Sequence, residues 1–119
     1  MTYDDLAHGY IATWNETDPV KRRQLIDELW APEGRYVDPL AVAEGRDAID
    51  ATIAAAQGQF PGMTFRLVGP VDGHHSQVRF TWELGPDGVE APIVGFDVAT
   101  TDGDGRLDQV LGFLDRVPA

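Results

Sequence analysis

Residues 77–84 read Gln-Val-Arg-Phe-Thr-Trp-Glu-Leu, and this stretch decides the fold class. Large apolar side chains alternate in it with polar ones, which is the period of a β-strand with one buried face. The same alternation runs from Met63 to Leu67. Earlier in the chain, apolar residues instead recur every three or four positions, as they do on amphipathic helices. This change of period predicts helices first and an antiparallel sheet second, which is an α+β fold.

Turn sequences divide the second half of the chain into strands. Gly85-Pro86-Asp87-Gly88 and Asp102-Gly103-Asp104-Gly105 are typical of hairpin turns. Gly95 and Gly112 fall in mid-strand, where glycine often marks a bulge or a bend. We therefore predict a bent antiparallel meander, in which the last two strands cover about 89–101 and 106–116.

Three helices are predicted before the meander. Thr2 and Asp5 resemble a capping box at the start of a first helix that runs to about Thr17. Asp18 and Pro19 form a typical start for the second helix, an N-cap followed by proline at the first helical position. We predict that the second helix ends at Pro32 and Gly34 and that a strand at 35–38 and a loop at 40–45 follow it. A third helix is predicted over about 46–57, with Gly58 as its stop.

Composition limits the classes of function. The chain of 119 residues fits a single domain spanning 1–119, and it contains no cysteine. Its net charge of −11 repels phosphate groups, so we expect neither nucleic acid nor an anionic membrane surface as a partner. The N-terminus shows no secretory signal, and no apolar run approaches the roughly 20 residues that span a bilayer. A cytoplasmic location is the expectation.

The order of these elements resembles the NTF2-like superfamily, which includes SnoaL-like proteins and ketosteroid isomerase. Three strings carry the resemblance, Tyr10-Ile11-Ala12-Thr13-Trp14-Asn15, Tyr36-Val37-Asp38-Pro39 and Ala91-Pro92-Ile93. The resemblance covers nearly the whole chain. It implies a cone-shaped, curved antiparallel or mixed sheet, with three N-terminal helices that enclose an apolar pocket.

The ketosteroid isomerase branch also implies roles for individual residues. Asp38 matches the general base of that branch, and Tyr10 matches the donor to the enolate oxygen. The second donor in that branch is a protonated Asp on the strand after the Ala-Pro-Ile string, and we place Val94 at that position. Valine donates no hydrogen bond, and the loss of one such donor typically costs about 3 kcal/mol of transition-state stabilisation.

The interior of the predicted cone is apolar. We expect its lining to include Trp14, Phe80, Trp82, Val94 and Phe96, any of which could line a pocket or simply fill it. A carboxylate such as Asp38 in this setting is desolvated and becomes a usable proton shuttle, or else caps its own turn after the strand. Asp97 lies on the face opposite Val94 and Phe96, which predicts a solvent or intersubunit position.

Other chemistries have weaker support in the sequence. His74 and His75 are predicted at a hairpin tip with no third metal ligand, and Asp102 to Gly105 lacks the spacing of a calcium loop. No phosphate loop or nucleophile motif is present, so we predict neither metal nor cofactor. The epoxide hydrolase branch would need an arginine in the pocket, for which Arg66, Arg79 and Arg106 remain open.

Three functions are consistent with these observations. The first is a cofactor-independent isomerase, lyase or cyclase, in which Asp38 moves a proton and Tyr10 polarises a carbonyl of a small hydrophobic substrate. The second is a non-catalytic module that binds such a molecule, which the valine at position 94 favours. The third is an interaction domain that forms a homodimer through the outer strand face of Arg79, Thr81 and Glu83.

Overall fold

The computed structural model describes residues 1–118 and contains three helices and six strands. The sheet is mixed, with the strand order β2-β1-β6-β5-β4-β3, in which only β1 and β6 run parallel among the neighbouring strands described. This is the predicted α+β fold. The bounds are α1 Tyr3–Asn15, α2 Pro19–Leu29, β1 Trp30–Val37, β2 Val42–Glu44, α3 Arg46–Gln59, β3 Thr64–His74, β4 Gln77–Gly85, β5 Ile93–Thr101 and β6 Leu107–Arg116.

The two predicted helix starts are confirmed. Thr2 and Asp5 form a complete capping box on α1, with Thr2 Oγ1 accepting from the Asp5 amide at 3.0 Å. The side chain of Asp18 accepts from the Lys21 amide, and Pro19 occupies the first position of α2. In both cases a side-chain oxygen satisfies an amide that the helix itself leaves without a partner.

The predicted end of the second helix is wrong. The helix ends at Leu29, and Trp30 already has the extended backbone that begins β1. Pro32 is therefore tolerated inside a strand, because the pairing of β1 with β6 is interrupted between Trp30 and Arg35. Gly34 lies against the Trp30 indole, where a methyl group would come within 2.5 Å of the ring.

Smaller boundary errors have local causes. The third helix continues through Gly58 to Gln59, since Gly58 has open space around it and ordinary helical geometry. The predicted loop at 40–45 contains the short strand β2, which pairs with β1 through Val37 and Val42. The fifth strand begins at Ile93 rather than at 89, because a turn and an irregular connection occupy the preceding residues.

The meander of β3 to β6 and the hairpin tip at His75 are confirmed. Interruptions of the pairing between Val68 and Asp72, between Val94 and Gly95 and between Thr100 and Thr101 bend the sheet. The helices pack on the inner face of this curve, where a core of large side chains is buried. Within residues 1–118, no helix is long and apolar enough to cross a bilayer.

A buried polar network holds the helices together at one end. Arg22, which is 5% exposed, donates to Asp50 Oδ1 at 2.7 Å and to Gln57 Oε1 at 2.9 Å. Gln57 Nε2 in turn donates to the backbone carbonyls of Trp14 and Glu16. The network joins α2 to α3 and satisfies carbonyls at the end of α1, so it fixes the helices over the sheet.

Candidate functional site

A cavity of about 490 Å³ lies between the helices and the inner face of the sheet. Most of its wall is aromatic and aliphatic, and Trp14, Phe65 and Trp82 form a continuous edge of rings with centroids 5.4 Å apart. Its volume falls in the range of pockets that bind small organic molecules. The mouth is formed by exposed apolar residues that include Leu40 and Val117.

One end of the cavity is polar, and four side chains meet there. Asp38 follows the end of β1, Tyr36 lies two residues earlier on the same strand, Tyr10 comes from α1, and Asp97 comes from β5. All four line the cavity. Residues 36 and 38 share a strand face because side chains alternate with a period of two.

Asp38 is held by three donors. Its Oδ1 accepts from the amides of Leu40 and Ala41, each at 2.8 Å, and its Oδ2 accepts from the Tyr36 hydroxyl at 2.6 Å. The interpretation of Asp38 as the cap of its own turn is therefore confirmed, and its role as a proton shuttle stays a prediction. One oxygen caps the turn after the strand, and the other faces the cavity beside a tyrosine hydroxyl.

Tyr10 lies where the sequence places it, on the buried face of α1 and in the cavity wall. Burial raises the pKa of its hydroxyl well above 10, and the nearby charge of Asp97 acts in the same direction. Burial likewise raises the pKa of Tyr36, with the hydrogen bond to Asp38 adding to the effect. Both hydroxyls therefore stay protonated and can act as donors.

Asp97 is the residue that sequence reasoning misplaced. It is 2% exposed and faces the cavity, whereas Val94 and Phe96 lie on the opposite, outer face of β5 and do not line the cavity. The predictions that Val94 and Phe96 face inward and that Asp97 faces outward are wrong. The signal that could have found Asp97 is the hairpin register, because Trp82 pairs with Gly95 and so places Gly95 and Asp97 on its own face.

The environment of Asp97 changes its acidity. Burial raises the pKa of its carboxyl from 3.8 to about 7; the Trp82 indole and the Tyr10 hydroxyl lower it, and the charge of Asp38 raises it. Its Oδ1 is buried and has no hydrogen-bond partner of ordinary geometry among residues 1–118. A carboxyl with this pKa is largely protonated below neutral pH and then carries an O–H donor.

The other predicted pocket residues divide into two groups. Trp14 and Trp82 line the cavity, as expected. Phe80 does not: it is 2% exposed and packs behind Tyr10, with ring centroids 5.5 Å apart, so it fills the core.

Cationic side chains do not line the described cavity. Arg66 pairs with Glu83 and Asp87, and Arg79 pairs with Asp72. Neither these arginines nor Arg106 belong to the lining, so the carboxylate–arginine arrangement of the epoxide hydrolase branch is not formed here. In the described part of the chain, no three acidic or histidine side chains lie close enough to share a metal ion.

This fold and this cavity define the class of protein: an NTF2-like α+β cone with an apolar pocket and one polar end. The sequence profile of the SnoaL-like domain matches residues 7–110. The chain belongs to the SnoaL-like family. A comparison with curated proteins finds no match.

Solved structures show the same relationship. A candidate isomerase of the SnoaL-like family from Agrobacterium tumefaciens is 43% identical over 95% of this chain and 97% of its own, with a TM-score of 0.91. A candidate polyketide cyclase from Sinorhizobium meliloti is 16% identical over 91% and 93% of the two chains, with a TM-score of 0.71. A protein of ketosteroid isomerase-like fold from Catenulispora acidiphila, in complex with trimethylamine, is 18% identical over 90% and 82%, with a TM-score of 0.72. The last two share the fold.

Proposed function

We propose that this protein is a cofactor-independent enzyme that moves a proton next to the carbonyl of a small, neutral, hydrophobic ketone. The observation that carries the proposal is the meeting of Asp38, Tyr10 and Asp97 at the polar end of an apolar cavity. The likeness to a candidate isomerase at 43% identity supports the same class of reaction.

Each group has a distinct role in the proposed reaction. Asp38 Oδ2, at the cavity, takes the proton from the carbon next to the carbonyl, and the electron pair moves onto the carbonyl oxygen. Tyr10 and the protonated Asp97 donate hydrogen bonds to that oxygen as it becomes negative. Asp38 then returns the proton to the carbon from which it came, which gives exchange. Where the ketone has a β,γ double bond, Asp38 instead returns it to the γ carbon of the dienolate, and the shift of the double bond into conjugation completes an isomerisation.

In the proposed reaction, Asp97 has the role of second donor that the family resemblance gave to position 94. Ketosteroid isomerase is the standard example of a carboxylic acid that an apolar site keeps neutral so that it can donate a hydrogen bond. Burial of Asp97 acts in the same direction here. We therefore infer that Asp97 supplies the second donor that Val94 cannot supply.

The lining also limits the substrate. Two carboxyl groups and no cation face the described cavity, so a carboxylate or phosphate on the substrate would be repelled and would find no positive charge to pair with. The aromatic edge of Trp14, Phe65 and Trp82 favours flat, apolar rings. A neutral bicyclic ketone or enone fits both constraints.

The test is hydrogen exchange at the acidic carbon of such ketones in D₂O, followed by NMR for a panel of tetralones and cyclic enones. The wild-type protein is expected to accelerate the exchange, and Asp38→Asn to reduce it at least 100-fold. Asp115→Asn, at an exposed position on β6, is the matched control. Exchange that is unchanged in Asp38→Asn would refute the role of Asp38.

A non-catalytic binding function is the second candidate, and one observation favours it. Asp38 Oδ1 accepts from the amides of Leu40 and Ala41, as the carboxylate of an aspartate that only shapes a turn does. Ketones that bind in the cavity without any accelerated exchange would support this function over the enzyme.

A further inference from the structure

Two glycines lie directly under functional side chains on neighbouring strands. Gly112 on β6 pairs with Asp97 on β5, and Gly95 on β5 pairs with Trp82 on β4. Such cross-strand neighbours have side chains close enough to interact. In each pair one partner has a functional side chain that faces the cavity, and the other partner has no side chain.

The space over Gly112 is occupied by the carboxyl of Asp97. A methyl group at Gly112 would lie 2.8 Å from Asp97 Oδ1 and 3.4 Å from Asp38 Cβ. The first distance is too short for a carbon–oxygen contact, so the carboxyl would have to move. The backbone at Gly112 does not need a glycine for its conformation, since its φ is not positive.

The space over Gly95 is occupied in the same way by the Trp82 indole. A methyl group there would collide with Cζ2, Cε2 and Cη2 of the ring. Cε2 carries the indole nitrogen, and the indole N–H is one of the groups that act on Asp97. Because Gly95 and Asp97 are two residues apart on one strand, both side chains lie over the same face of the sheet.

We propose that Gly112 and Gly95 are positioning residues of the site: the absence of a side chain at each makes room for the Asp97 carboxyl and the Trp82 indole to lie together at the end of the cavity. This inference deepens the proposed function and rests on it for its catalytic consequence. Its structural part is independent of any activity.

The geometry explains why Asp97 can be buried so completely. Its carboxyl lies over Gly112, the residue of β6 that pairs with Asp97 and has no side chain. Asp38 lies next to the same glycine. The groups that face the carboxyl are Tyr10, Trp82 and Asp38. A methyl group on Gly112 would therefore change the position of the carboxyl relative to these three groups.

The structural test is a double-mutant cycle in thermal unfolding, with Gly112→Ala made in the wild-type protein and in Asp97→Ala. If the methyl group clashes with the carboxyl, Gly112→Ala lowers the unfolding midpoint in the wild type and has much less effect once the carboxyl is removed. Equal effects in both backgrounds would overturn the proposal, because they would mean that the glycine serves only the backbone. Gly103→Ala, which points into open space, is the control.

The functional test uses 2-naphthol, a neutral aromatic alcohol whose oxygen can accept hydrogen bonds from Tyr10 and Asp97. Gly112→Ala is expected to weaken its binding about tenfold or more, and Gly95→Ala to do the same, while Gly103→Ala leaves binding unchanged. NMR titration of the Asp97 side-chain carboxyl carbon should show a shifted midpoint in Gly112→Ala. An unshifted midpoint with unchanged naphthol affinity would overturn the positioning role.

The two proposals fail separately in these experiments. A cycle that shows coupling, together with no hydrogen exchange by any variant, would leave the glycine positions established and reject the enzyme. Exchange by the wild type that Gly112→Ala and Gly95→Ala leave unchanged would support the enzyme and reject the positioning role. If Gly112→Ala fails to fold, the Gly95→Ala variant and the Asp97→Ala/Gly112→Ala double variant still decide the question.

Discussion

The Tyr36 hydroxyl donates a 2.6 Å hydrogen bond to Asp38 Oδ2, the oxygen of that carboxyl that is not engaged by the turn. Hydrogen bonds to a charged acceptor are stronger than those between neutral groups. The tyrosine ring is held in turn against Trp14, with centroids 5.4 Å apart. This contact fixes the direction in which Asp38 faces the cavity.

Removing this hydroxyl should cost stability. Tyr36→Phe is expected to lower the free energy of unfolding by about 1.5–3 kcal/mol, because the bond is partly buried and its acceptor is a carboxylate. Tyr3→Phe is the matched control, since the Tyr3 hydroxyl donates to the neutral carbonyl of His75 at the surface. Urea unfolding of both variants checks the expectation, and a smaller loss for Tyr36→Phe than for Tyr3→Phe would contradict it.

Asp97 should make the stability depend on pH. Its pKa is raised from 3.8 to about 7 by burial, so the folded state holds a proton that the unfolded state releases between these values. The contribution to stability is full below pH 3.8 and is lost as the pH rises through 7. Between pH 5 and 8 the loss is on the order of 3 kcal/mol.

Asp97→Asn isolates this effect, since asparagine has nearly the same shape and does not titrate. The difference in unfolding free energy between pH 5 and pH 8 should shrink in this variant, while Asp115→Asn on the surface keeps the wild-type dependence. Urea unfolding at the two pH values is the measurement. A wild-type pH dependence in Asp97→Asn would mean that the carboxyl is ionised in both states.

The cavity should prefer neutral molecules. Methyl naphthyl ketone is expected to bind at least tenfold more tightly than naphthoate at pH 7.5, because Asp38 and the partly ionised Asp97 repel the carboxylate. Quenching of tryptophan fluorescence reports binding, since Trp14 and Trp82 line the cavity. Equal affinities would show that the ligand does not reach the polar end.

The outer face of the sheet is the predicted homodimer interface. Thr81, Phe96 and Phe113 lie side by side on β4, β5 and β6, and Phe113 is 58% exposed. We expect sedimentation to give twice the mass of one chain and Phe113→Ser to lower the association. Val89→Ser, at an exposed apolar residue outside the strands, is the control. A wild-type mass of one chain would reject the homodimer.

Much of this protein follows from its sequence alone. The change from a helical to a strand period near residue 63 determined the order of helices and sheet, and the turn sequences determined the meander. The caps at Thr2 and Asp18 determined where two helices begin. These features depend on residues that are close together in the chain, so local rules describe them.

Only the tertiary structure decided which face of β5 is inside. Val94, Phe96 and Val98 form the more apolar side of that strand, so hydrophobicity by itself selects the wrong face. The inner side consists of Ile93, Gly95, Asp97 and Ala99. This side has few large apolar residues because the Trp82 indole takes the space over Gly95 and the Asp97 carboxyl takes the space over Gly112 on β6. That choice depends on the pairing of β5 with β4 and β6, which no short stretch of sequence contains, and it brings Asp97 to Tyr10 and Asp38.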